Sequence, residues 1–229
     1  MREAAIVATA RTGIGKAYRG AFNDTEAPVL SSHVVNAVLD RSGIDPARVD
    51  DVYLGVGNHW NTQSYNLGRL TVHASKLPNS VGGFTLDRKC SSGLNAIALA
   101  ARGVIADEID VAVAGGMETI SMTLNKFAPG WRNRSQAVID ADPYAYMAMI
   151  ETAEVVAERY GVSREAQDAF AALSQQRAGA AQAAGRFNDE IVPITVEKSL
   201  KDKEGNETGR ETVTVSADEG VRGDTTAEG

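Results

Sequence analysis

The 229-residue chain contains very little cysteine and histidine: one Cys, at position 90, and three scattered His residues. A single thiol excludes a disulfide scaffold within the chain and a zinc cluster built from several cysteines. The few histidines argue against a histidine-rich metal site. We therefore expect no structural metal.

Long apolar runs are also missing. No stretch approaches the roughly twenty apolar residues that span a bilayer, and the opening segment MREAAIVATART has no uninterrupted apolar core of signal-peptide length. We therefore expect a cytoplasmic protein without a membrane partner.

The chain also lacks an excess of basic residues, since its formal net charge is −7. Nucleic-acid and anionic-membrane binders usually display a basic field, so this balance argues against both classes. From Phe187 to Gly229 there are eleven acidic and five basic residues, so most of the negative charge belongs to the last part of the chain.

The remaining composition, 43% apolar and 23% charged, is that of a globular chain able to bury a core. Short apolar runs alternate with segments of helical spacing over the first 116 residues, which predicts an α/β fold with a largely parallel sheet. The predicted strands are Ala4–Ala8, Val52–Val56, Gly83–Leu86 and Val111–Ala114. The predicted helices are Pro28–Leu39, Gly68–Leu77 and Ser91–Ile105, the last apolar on nearly every face and therefore expected to be buried all round.

The pattern changes after Met117. Residues 119–149 show no sustained period and predict a long loop-rich stretch. Helical spacing returns at Glu151–Tyr160 and Ser163–Ala184, the second with Ser163 as N-cap. Two later strands, 191–196 and 211–215, predict a hairpin with Gly205-Asn206 at its tip.

Cys90 lies between a predicted strand and the apolar helix, in LDRKCSSGLNAIALAA. Unpaired amides and the helix dipole at a helix N-terminus favour a thiolate, and the small residues that follow let a substrate approach. This position suits a nucleophile, although a lone cysteine elsewhere is commonly inert packing. From the spacing alone both interpretations stay open.

Four blocks of the sequence together resemble the thiolase family. The Cys90 segment matches the family's active-site pattern, with Asp87 and Arg88 before the cysteine and an alanine-rich helix after it. AGGMETIS at 114–121 is similar to the family's AGGMESMS, and ARTGIGK at 10–16 resembles its opening ARTPIGK. The block from Thr152 to Pro193 follows the helices of the family's loop domain.

This resemblance implies a thiolase-like α/β fold: a layered sheet with a buried nucleophile helix, and an inserted α+β loop domain. Residues 1–118 would form the first part of the N-terminal domain and 119–229 most of the loop domain. The implied activity is acyl transfer between acyl-CoA and CoA, with CoA as a substrate, no bound cofactor, and a homodimer or homotetramer as the assembly.

The resemblance also implies site residues. Cys90 would carry the acyl group, Met149 would line the pantetheine channel, and Arg222 would lie near the CoA nucleotide. Met117 and Glu118 are interpreted as packing beside the cysteine. The three histidines, His33, His59 and His73, fall in no family motif and receive no role.

Family motifs that complete the active site, GHP, GNAS and CxGGG, do not occur in these 229 residues. The sequence therefore predicts that a C-terminal thiolase portion is supplied as a separate chain. Ala148-Met149-Ile150 stands where many thiolases have His-Met-Gly, which argues against strict acetoacetyl specificity. Two alternatives remain: a ketoacyl-synthase-like condensing enzyme, and a non-catalytic fragment that binds CoA or a partner.

Overall fold

The structure is a computed structural model that describes residues 2–128 and 130–226. The helices are α1 Ala27–Ser42, α2 Leu67–Ala74, α3 Ser92–Ile105, α4 Ile120–Thr123, α5 Gln136–Ala141, α6 Met149–Tyr160 and α7 Arg164–Ala183. The strands are β1 Asp51–Gly55, β2 Gly82–Leu86, β3 Ala112–Gly116, β4 Ile194–Lys201 and β5 Glu207–Val215.

Strands β1, β2 and β3 form a parallel sheet in the order β2-β1-β3. The register places Gly55, Leu86 and Gly116 side by side at the carboxyl ends of the three strands. The predicted α/β class with a parallel sheet is confirmed, and the segments that follow these three strands leave from one edge.

Helices cover both faces of this sheet. Side chains alternate along a strand, so Val52 and Leu54 of β1 point to one face and Tyr53 and Gly55 to the other. Val52 packs in a core cluster with residues of α1 and α2: Val35, Leu39 and Val72. Gly55 lies against the first turn of α3. The sheet therefore separates the α1–α2 layer from α3.

Local signals in the sequence explain where the helices begin and end. Pro28 is in the first turn of α1, and Gly43 ends that helix with a left-handed φ of 66°. The Ser163 hydroxyl accepts a hydrogen bond from the Ala166 N–H at 3.2 Å and caps α7, as predicted. The antiparallel hairpin β4–β5 turns through Gly205, whose φ is 85°.

Contacts divide the chain into two units. One contains Met1–Ala128 and Phe187–Gly220, and the other contains Pro129–Arg186 and Val221–Gly229. The parallel sheet and the hairpin belong to the first unit, and α5, α6 and α7 belong to the second. The domain boundary after residue 118 stays a prediction. In the part of the chain that the structure describes, no helix is both long enough and apolar enough to cross a membrane.

Two expectations from the sequence are wrong in this structure. Ala4–Ala8 is not a strand, and Ile6 is 76% exposed, because no described strand lies beside it to complete a ladder. Helix α3 is not buried on all sides. It buries the stripe Ser92, Ala96, Ala100 and Gly103 against the sheet, whereas Leu94 on its other side is 73% exposed.

Candidate active site

Cys90 lies at the carboxyl edge of the parallel sheet, in a short connection between β2 and α3. A single 3-10 turn, Lys89–Ser91, follows Asp87 and Arg88 and leads directly into α3. The thiol is free and its residue is exposed. The predicted location at the N-terminus of the apolar helix is confirmed, and the exposure leaves the sulfur accessible to a substrate.

Glycines bring the start of α3 into direct contact with the sheet. A methyl group built on Gly55 would lie 2.2 Å from the Ser92 carbonyl carbon and 2.5 Å from the Gly93 nitrogen. One built on Gly116 would lie 2.7 Å from the Gly93 Cα. Only glycine leaves room for this backbone approach, so the ends of β1 and β3 fix the position of the first turn of α3.

The two serines after Cys90 close the turn by hydrogen bonding to the backbone. The Ser92 hydroxyl accepts from the Arg88 N–H at 2.8 Å and donates to the Lys89 carbonyl oxygen at 2.6 Å. The Ser91 hydroxyl donates to the Arg88 carbonyl oxygen at 2.9 Å. Because Ser92 is buried, its two bonds are partly shielded from competing water. Together with the exposed Ser91 bond, they hold both sides of Cys90.

Lys89, directly before Cys90, adopts a left-handed backbone conformation with φ of 49°. Its ammonium donates to Asp87 Oδ2 at 2.6 Å and to the Gly57 carbonyl oxygen at 2.9 Å, and its N–H donates to Asp87 Oδ1 at 2.7 Å. Burial favours the neutral form of the Asp87 carboxyl. The hydrogen bonds from Lys89 outweigh this effect and hold the pKa of Asp87 below its ordinary value.

A second set of hydrogen bonds supports the loop after β1. Glu118 accepts from the Gly57 N–H at 2.8 Å and from the side-chain amide of Gln63, which is fully buried. The Gln63 amide also donates to the Asn58 carbonyl oxygen at 2.7 Å, and its oxygen accepts from the Thr119 N–H. Glu118 thus supports the backbone next to the cysteine turn, in keeping with its predicted structural role.

Sequence reasoning placed Asp87 in the active-site motif but did not predict its bonds to Lys89, and it missed Lys89, Gly57 and Gln63 as parts of the site. The only signal for the Asp87–Lys89 contact was an acidic and a basic residue two apart beside the cysteine, a pattern also common on solvated surfaces. Gln63 carried no signal, because its partners Glu118 and Thr119 are 55 and 56 residues away in the chain.

Of the histidines, only His59 is near this turn: its Nε2 lies 3.9 Å from Asp87 Oδ2, which is beyond hydrogen-bond distance. Among residues 2–128 and 130–226, no group of three or more His, Cys, Asp or Glu is arranged to hold a metal ion.

Met149 and Arg222 belong to the second unit. Met149 is the first residue of α6 and is 72% exposed, and its neighbour Ile150 is also exposed. The Ala148 N–H before it donates to Glu151 at 3.2 Å, which stabilises this helix end. Two apolar side chains therefore project into solvent at the start of α6.

Arg222 lies on a turn that packs on α7. Its N–H donates to the Gln175 side chain at 2.8 Å, and the Gln176 amide donates to the Thr225 carbonyl oxygen at 3.0 Å. Gly179 and Gly223 approach so closely that a methyl group on Gly179 would lie 2.6 Å from the Gly223 Cα. The turn is held by these contacts while the Arg222 side chain is exposed.

A family model described as "Thiolase, N-terminal domain" matches residues 4–229. The chain is 39% identical over 228 residues to a 3-ketoacyl-CoA thiolase of Bacillus subtilis, covering all of this chain and 58% of that protein. It is 40% identical over 227 residues to the peroxisomal 3-ketoacyl-CoA thiolase A of Rattus norvegicus, covering 98% and 50%.

A solved structure gives the same result. The fold is similar to the crystal structure of the Bacillus anthracis acetyl-CoA acetyltransferase, with a TM-score of 0.80 and 33% identity. The match covers all of this chain and 57% of that one. The chain thus spans little more than half the length of the proteins it matches.

Proposed function

Because the chain belongs to the thiolase family, we propose that it carries the nucleophile of a CoA-dependent acyl transfer and that this nucleophile is Cys90. The observation that supports the proposal is the exposed Cys90 thiol on the turn before α3, at the carboxyl edge of the sheet. Ligands of open parallel sheets commonly bind at this edge.

The proposed reaction is cleavage of a 3-ketoacyl-CoA in two steps. The Cys90 thiolate attacks the C3 carbonyl carbon, the bond between C2 and C3 breaks, and the departing two-carbon unit takes a proton to become acetyl-CoA. The acyl group remains on Cys90 as a thioester. A second CoA then gives up its thiol proton and attacks this thioester, which forms the shortened acyl-CoA and releases the Cys90 thiolate. The reverse sequence is a condensation of two acyl-CoA molecules.

The second unit supplies contacts to CoA in this proposal. The exposed apolar side chains of Met149 and Ile150 suit the pantetheine arm. The Arg222 guanidinium, carried on a turn held by α7, suits a phosphate of the nucleotide. Ile150 adds a branched side chain where many thiolases have glycine, which favours acyl groups other than acetoacetyl.

Acid-base and oxyanion groups belonging to the GHP, GNAS and CxGGG motifs come from polypeptide outside these residues in our proposal. We keep the hypothesis that this polypeptide is a separate chain. Intact mass spectrometry of the native particle under denaturing conditions tests it: a second component bearing those motifs supports the hypothesis. A longer single chain that contains them refutes it.

The function is tested with acetoacetyl-CoA and a medium-chain 3-ketoacyl-CoA as substrates, each with free CoA. We expect CoA-dependent loss of substrate, release of acetyl-CoA, and an acyl thioester on the tryptic peptide 90–102, CSSGLNAIALAAR. Cys90→Ala should abolish all three. Turnover in Cys90→Ala contradicts the proposal, release of carbon dioxide from a malonyl thioester indicates a condensing enzyme instead, and CoA binding without acylation indicates a binding protein.

Assembly and location are also proposals. We expect a homodimer or homotetramer in sedimentation analysis. The cytoplasm stays the predicted location, although one matched relative is named peroxisomal.

A further inference from the structure

Lys89, which directly precedes Cys90, has a left-handed backbone conformation. Residues with a side chain adopt this conformation only at an energetic cost. Such a conformation persists only where its surroundings maintain it, and here Lys89 donates three hydrogen bonds, two of them to Asp87. We propose that Asp87 and Lys89 form a positioning pair that fixes the direction in which the turn presents the Cys90 thiol. This role rests on the proposed function of Cys90 as nucleophile.

The pair differs from an ordinary surface ion pair in what it connects. Lys76 and Asp40, also joined at 2.7 Å, contact each other only through their side chains. Asp87 instead accepts the backbone N–H of the left-handed residue, and the Lys89 ammonium reaches the Gly57 carbonyl oxygen. The turn is thereby tied to the loop after β1.

That loop is itself held in place. The Gly57 N–H donates to Glu118 at 2.8 Å, so the peptide groups of Gly57 are anchored on one side by Glu118 and on the other by Lys89. Gly57 is buried, only two residues beyond the end of β1. The pair therefore fixes the position of Cys90 relative to the carboxyl edge of the sheet, which also contacts the first turn of α3.

Removal of Asp87 distinguishes a positioning role from a simple effect of charge, because the two predict opposite changes in the rate of Cys90 acylation. Removing the Asp87 carboxylate and freeing the Lys89 ammonium both make the surroundings of the turn more positive, which should speed attack by an anionic nucleophile. Loss of positioning should slow acylation, because attack on a carbonyl carbon depends steeply on alignment.

The test measures kcat and KM for cleavage of a medium-chain 3-ketoacyl-CoA in the purified native protein. For Asp87→Ala we expect kcat to fall roughly tenfold with KM little changed, since misalignment of the nucleophile affects the chemical step. Asp87→Asn keeps an acceptor for the Lys89 N–H and should recover part of the loss. Lys89→Met should lower kcat by up to about fivefold, because the Lys89 side chain is 75% exposed and such charged contacts are weak. Lys76→Met is the matched control and should leave kcat unchanged.

Alkylation of Cys90 by iodoacetamide, followed on the peptide that begins at residue 90, checks that the thiol stays accessible and reactive. We expect Asp87→Ala to be alkylated at least as fast as the wild type. In the double variant Asp87→Ala/Lys89→Met, kcat should fall by less than the product of the two single fold-changes, because both substitutions remove the same contact. A kcat of Asp87→Ala equal to or above that of the wild type overturns the inference alone, whereas a wild-type protein that never acylates overturns the proposed function and the inference with it.

Discussion

Replacing Gly55 with alanine should displace the start of α3 and destabilise the first unit. The added methyl group would lie 2.2 to 2.5 Å from three backbone atoms of Ser92 and Gly93, whereas ordinary van der Waals contacts begin near 3.4 Å. The helix would have to withdraw by about 1 Å, because none of these atoms belongs to a side chain that can rotate away.

We expect the free energy of unfolding to fall by about 2 kcal/mol. Overpacking of a filled site costs up to about 3 kcal/mol, and the lower entropy of the unfolded alanine chain returns up to about 1 kcal/mol. Because the Cys90 turn precedes the displaced residues, acylation should also slow.

Gly115→Ala is the matched control, since Gly115 lies in β3 of the same sheet and no described atom lies within 4 Å of its added methyl group. Urea unfolding followed by circular dichroism gives both values. A Gly55→Ala protein as stable as Gly115→Ala would refute the conclusion that backbone contact with β1 positions α3.

Three further predictions concern other parts of the chain. Ser92→Ala should lower the free energy of unfolding by about 2 kcal/mol, because it leaves the Arg88 N–H without its partner and removes one of the two hydrogen bonds to the Lys89 carbonyl oxygen. Urea unfolding measures this, and no change would contradict the role of the buried hydroxyl. Hydrogen bonds from Arg11 hold the pKa of Asp218 below its ordinary value, and its side chain is only 12% exposed. The stability it contributes is therefore present above the pKa of the unfolded chain and lost as pH falls through the folded value. Asp218→Asn should cost about 2 kcal/mol at pH 7, and urea unfolding over a pH series should show the difference disappearing in acid. Arg222→Gln should raise the KM for CoA roughly fivefold at unchanged kcat, whereas Arg177→Gln on α7 should have no effect; equal KM values would remove Arg222 from the CoA site.

Most elements of the fold were predictable from local pattern. The helix at Ala27–Ser42 carries its start signal in Pro28 and its stop signal in Gly43, and β1 is a short apolar run with turn residues after it. The apolar segment Ala4–Ala8 misled the prediction, because a strand requires a neighbour and the pattern of one segment cannot specify it. Burial of α3 was overestimated for a related reason. Its apolar composition is compatible with burial on opposite sides of the helix, but the described residues cover only the side that faces the sheet.

By itself, the sequence determined the family, the alternation of strands and helices, and the placement of Cys90 at the beginning of a helix. Those features depend on residues close together in the chain, where hydrophobic period, capping and motif spacing act directly. The tertiary structure decided which side of α3 meets the sheet and how the turn before it is held, through Asp87, Lys89 and Gly57. It also revealed the Gln63–Glu118 contact. The Lys89–Gly57 and Gln63–Glu118 contacts join groups tens of residues apart in the chain, and the packed parallel strands bring together the loops that carry them.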